Sequence, residues 1–123
     1  MADRENAVAV AMAPSHDGTL VIREDVLAEI AYLEVMGMQG MVPPRESFVR
    51  GVLRRNRPKG VLVEASASEV AFHLTLGVLE GVCIPVAANE LRRRVAAAVG
   101  SKTGYSVRAV NVLVDHIVLR KGP

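Results

Sequence analysis

Tryptophan is absent from the chain, and only Tyr32, Phe48, Phe72 and Tyr105 are aromatic. The core must therefore be aliphatic, and unstacked nucleic-acid bases would find few rings to lie against. The single cysteine, Cys83, excludes an internal disulfide and any multi-cysteine metal site, which fits a reducing compartment. No short pair of metal ligands such as CxxC, HxxxH or HExxH occurs among Cys83, His16, His73 and His116. The phosphate-binding patterns GxxxxGK[ST] and GxGxxG are also missing. The acidic start, MADREN, does not suit a signal-peptide n-region, so the expectation is a cytoplasmic protein.

Long uninterrupted apolar runs are lacking too. Val70 to Ala88 carries one charge, Glu80, but Gly77, Gly81 and Pro85 interrupt it and its first half alternates like a strand, so it is not a membrane span. With 123 residues, half of them apolar, the chain suffices for one domain with one modest core. The net charge is only +2, but unevenly spread. Asp3, Glu5, Asp17, Glu24, Asp25, Glu29 and Glu34 make the first third acidic; Arg45, Arg50, Arg54, Arg55, Arg57 and Lys59 make the next segment basic. Such asymmetry permits head-to-tail self-association or docking on an acidic surface.

Residues 1–17 lack periodicity and end in breakers, so they read as a flexible arm before a single domain at 18–120. TLVI reads as a short strand. REDVLAEIAYLEVMG reads as a helix with Val26, Leu27, Ile30, Leu33 and Ala31 on its buried side and Gly37 as its stop. Met41-Val42 is a strand ended by Pro43 and Pro44, and SFVRGVLRRN a brief helix weakened by Gly51. GVLVEA and EVAFHLTLGVL form an antiparallel hairpin, with Val70, Phe72, Leu74, Leu76 and Val78 on one face of the second strand. Pro85 opens a second helix carrying Ala88, Leu91, Val95, Ala98 and Val99, which Gly100 closes. Tyr105 to Leu119 is a strand whose valines change parity near Ala109, which indicates either a bulge or a strand that begins near Ala109. The predicted class is α+β: a small mixed or antiparallel sheet with two main helices, in the order β-α-β-(α)-β-β-α-β.

The candidate interaction surface is basic: Arg50, Arg54, Arg55, Arg57 and Lys59, joined by Arg92 and Arg93. Clustered cations bind phosphates or anionic headgroups, with strong salt dependence. Cys83 stands just before a helix, where a thiol pKa can fall, but no histidine or acid lies at a recognisable spacing, so it reads as a buried structural residue. GMQG, Gly37 to Gly40, matches the GxxG of a backbone-clamping loop, yet Pro43 and Pro44 follow and no helix can resume at once. It reads as a stop and a turn. Met36, Met38 and Met41 read as core filling. Catalytic residues, cofactors and metals are not expected.

GTLVIREDVLAEIA, MQGMV, RPKGVLVE, EVAFHLTLGVLEGVCIPVAANELRRRV and TGYSVRAVNVLVDHIVL, in that order, resemble the alkaline-shock protein family of bacterial envelope stress response proteins. The resemblance runs from about Gly18 to Leu119. Its specific points are Gly60-Val61, Gly81 with Ile84-Pro85 and Ala88, Gly104, and Val110-Asn111-Val112 with Val114. Two departures stand out: Pro43 and Pro44 in a shortened segment after MQGMV, and Gly77 in a strand that is bulkier in the family. The resemblance implies a cytoplasmic, non-enzymatic interaction or scaffold domain of cell-envelope homeostasis. Such a domain would self-associate as a homo-oligomer or dock on a protein partner, membrane-anchored or at an anionic membrane face, with no small-molecule substrate. The alternative is a nucleic-acid-binding module using GMQG and the Arg50–Lys59 segment; a thiol enzyme centred on Cys83 comes third.

Overall fold

The computed structural model describes residues 18–45 and 59–120. The expected arm at 1–17 and the brief helix SFVRGVLRRN lie outside the described residues. Within them the elements follow the expected order: α1 (Glu24–Met36), β1 (Met41–Val42), β2 (Val61–Ala65), β3 (Glu69–Leu79), α2 (Ile84–Thr103) and β4 (Ser106–Val118). TLVI departs from expectation, for the backbone there makes only isolated bridges at Gly18 and Val21.

The sheet is mixed and built around β3. β2 pairs with it antiparallel, from Val61 opposite Leu74 to Ala65 opposite Val70, closing the expected hairpin. β1 pairs antiparallel further along, Met41 opposite Val78 and Val42 opposite Gly77. β4 runs parallel along the whole of β3, from Ser106 opposite Glu69 to Val118 opposite Leu79. A strand has two edges, so β1 and β2 lie end to end on one and β4 fills the other. A parallel neighbour demands a crossover, which α2 provides between β3 and β4.

Alternation along β3 sends Val70, Phe72, Leu74, Leu76 and Val78 to the face covered by both helices, where all are buried. From α2, Leu91, Val95 and Val99 meet them at spacings of four, the stripe of a helix resting on a sheet. α1 presents Leu27, Ala28, Ala31 and Val35 inward. Val26 and Leu33, expected inside, are 47% and 61% exposed. The helix is apolar on two sides, and the alanines win the inner one because they let it approach the sheet closely. Met38 and Met41 are in the core, as expected.

α2 also runs one turn past its expected end. It continues through Gly100 to Thr103 and stops at Gly104, whose φ of 83° lies in the left-handed region that glycine alone enters without cost. The Thr103 hydroxyl donates to the Val99 carbonyl at 2.7 Å and accepts from the Tyr105 backbone N–H at 3.1 Å, so a buried polar group is satisfied twice.

Candidate interaction surface

The open face of the sheet is set by two bulges in β4. The register against β3 shifts between Val70 and Ala71 and again between Leu76 and Gly77, leaving Arg108 and Asp115 as the extra residues. The first is the expected parity change; the second went unanticipated. A bulge turns two successive side chains toward one face. Arg108 joins Ala109 there, and Asp115 joins His116.

Around the first bulge a polar group assembles from three strands. Arg108 Nη2 lies 3.7 Å from Glu64 Oε1, and its Nε lies 4.0 Å from Glu69 Oε1. His73 Nε2 is 3.5 Å from the same Glu64 oxygen, while Asn111 Nδ2 approaches His73 Nδ1 at 3.3 Å. These side chains are exposed by about half or more, apart from His73 at 39%, and such pairs are individually weak.

The second bulge is tighter. Asp115 and His116 have side chains only 19% and 11% exposed, with His116 Nδ1 2.6 Å from Asp115 Oδ1. The other oxygen, Oδ2, accepts the backbone N–H of Arg45 at 3.0 Å, reaching from β4 across β3 to the chain leaving β1. That reach is possible because Gly77 has no side chain: a Cβ there would stand 2.2 Å from His116 Cε1. Gly77, the departure noted in the sequence, and His116 are complementary. Large apolar residues complete the open face, with Leu62 47% and Leu113 60% exposed.

Of the residues singled out from sequence, Arg50, Arg54, Arg55 and Arg57 lie outside the described residues, and so does His16. Lys59 stands beside Gly60 at the start of β2. Arg92 is turned inward: its Nε donates to the Val110 carbonyl of β4 at 3.1 Å and its Nη1 to Asn89 Oδ1 at 2.7 Å. Arg93 pairs with Glu90 one turn away, and Arg94 Nε, 3.5 Å from Glu34 Oε1, ties α2 to α1. Arg92 and Arg94 thus link elements, while Arg93 pairs within its own helix. GMQG forms the stop and turn expected of it, with Gly37 N–H donating to the Leu33 carbonyl and the Gly40 carbonyl accepting from Leu79. Cys83 is the N-cap residue of α2 and is exposed, contrary to the expectation of a buried thiol; it sits in the connection between β3 and α2, outside the core.

No group of three or more His, Cys, Asp or Glu side chains among the described residues is arranged to hold a metal ion. Among them, too, no helix is long and apolar enough to cross a membrane. A family model with a cell envelope-related function, that of alkaline-shock protein 23, matches residues 12–119. The chain belongs to this alkaline-shock family. The match spans every described element, so the family's cell-envelope role attaches to the whole fold. No curated protein and no solved structure matches the chain.

Proposed function

We propose that this alkaline-shock family chain is a non-enzymatic interaction domain of cell-envelope stress response or homeostasis, working at the cytoplasmic side of the membrane. It self-associates or docks on a protein partner. The observation that carries the reading is where its large apolar side chains lie. Leu20, Val21, Val26, Leu33, Leu62, Val86, Leu113, Ile117 and Leu119 are each about half exposed or more, on several sides of a small domain. Scattered exposure of this kind is ordinary singly; in groups on a helix and a sheet face it marks contact surfaces. The open-face carboxylates and imidazoles support the same reading, since they are engaged with one another and with backbone across strands.

The test is crosslinking in cells grown under envelope stress, with crosslinked sites mapped by mass spectrometry, beside sedimentation of the purified chain. Crosslinks from these exposed positions to a second copy or to one envelope protein support the reading. A chain that stays monomeric at high concentration and crosslinks to nothing refutes it.

A further inference from the structure

The outer side of α1 carries an apolar stripe whose two ends, Val26 and Leu33, are exposed. At 100° per residue, Val26, Ile30 and Leu33 fall on one line of the helix, opposite the buried Leu27, Ala28, Ala31 and Val35. Val26 and Leu33 are 47% and 61% exposed, while Ile30 between them is partly buried and packs against the edge of the core. Leu20 and Val21, just ahead of the helix, are 56% and 59% exposed.

The charges that α1 itself places beside this stripe are all acidic, and two arginines from outside the helix offset two of them. The helix EDVLAEIAYLEVM contains no lysine or arginine. Asp25 and Glu29 flank the stripe on one side, and Glu34 flanks it on the other. Glu34 is engaged by Arg94 and Asp25 by Arg23, an exposed pair at 3.4 Å, whereas Glu29 has no partner among the described residues. Glu29 therefore leaves the border of this apolar line net acidic, which disfavours anionic lipid and nucleic acid. It complements a helix that is apolar on one side and cationic at its borders.

We infer that the Val26–Ile30–Leu33 stripe of α1 is a docking surface for a basic amphipathic helix of a protein partner. The inference rests on the reading of the chain as an interaction domain and names the chemistry of what it binds. Val26 and Leu33 stand about 10 Å apart along the axis, the spacing of two anchors seven residues apart on an incoming helix. A lysine or arginine bordering those anchors meets Glu29 first, with Asp25 and its Arg23 alongside.

The probe is a fluorescein-labelled 18-residue peptide of leucine and lysine in amphipathic helical order, titrated into the full chain by anisotropy at low and at physiological salt. A leucine–glutamate peptide of the same order is the control. The lysine peptide binds and the glutamate peptide does not. Leu33→Ser and Glu29→Lys each weaken binding about tenfold, as expected of residues central to a contact. The double change Asp25→Lys with Glu29→Lys shifts preference to the glutamate peptide. All these positions are on the surface, and circular dichroism checks that each variant folds. Equal binding of both peptides, or wild-type affinity in Leu33→Ser and Glu29→Lys, overturns the inference. So does a result in which Leu33→Ser abolishes only self-association, or only co-sedimentation with phosphatidylglycerol vesicles, because the occupant is then a second copy or a lipid surface. Crosslinking at other faces is untouched by any of these outcomes, so the broader reading stands or falls separately.

Discussion

The imidazole of His116 lies directly over the Cα of Gly77, occupying the place where any other residue's Cβ would be. Because Asp115 holds that ring on one side and the Arg45 N–H on the other, a missing side chain on β3 lets three separate stretches of chain meet.

Gly77→Ala should therefore cost about 1–3 kcal/mol, the usual range for forcing extra volume into a filled site. The ring must swing away and give up Asp115. His116→Ala on its own removes the contact, and the double variant should be less destabilised than the sum of the two singles. Urea denaturation of all four proteins gives the coupling directly; strict additivity would show that the ring moves freely.

Leucines 27 and 33 of α1 are close in sequence and opposite in environment, at 0% and 61% exposed. Leu27→Ala should lose about 2–5 kcal/mol, as buried leucines do. Leu33→Ala should stay within about 0.5 kcal/mol of wild type. Thermal or chemical melts of the two variants check both, and similar losses would contradict the orientation of the helix.

Tyr105 is 3% exposed, and its pKa is raised by burial and, to a lesser degree, by the nearby Glu24 carboxylate. The folded state thus holds the phenol proton more tightly than the unfolded chain does, where the pKa is the ordinary 10.0. Stability from this source is complete below about pH 10 and declines as pH rises above it, since the unfolded state then releases the proton first. Tyr105→Phe should flatten that decline while leaving neutral-pH unfolding a two-state transition. Stability curves between about pH 8 and 11, where phenols titrate, would expose an unchanged slope.

Arg92 and Arg93 are neighbours that do different things. Arg92 is exposed but bonds a β4 carbonyl; Arg93 pairs with Glu90 at the surface. Replacing Arg92 by alanine should cost about 1–2 kcal/mol through the stranded carbonyl. The same change at Arg93 should cost about 0.5 kcal/mol or less. If both melt alike, the link between α2 and β4 contributes nothing.

Much of this fold can be read from residue order. The strict alternation of β3 announces its buried face, and the valine parity change at Ala109 marks the first bulge of β4. The second bulge was also signalled, had the adjacent Asp115-His116 pair been read as a break in the valine alternation. Other features are not local. Val26 and Leu33 fit a core stripe as well as Leu27 does, and only packing against the sheet decides between two apolar sides of one helix. Gly100 and Gly104 are equally good stops, and the helix passes the first because Thr103 can bond back to Val99. Of the candidate surface, the basic character of residues 50–59 was visible, while Arg92's inward bond and the open-face cluster depend on strands distant in sequence.

Among the described residues every inter-strand ladder of the sheet involves β3: β1, β2 and β4 each bond to it and none bonds to another. The sheet is a hub with spokes, so no pair of strands survives once the centre opens. Amide exchange from β3 should then require unfolding of the whole domain, and a cut or deletion between Glu69 and Leu79 leaves no smaller folded fragment behind.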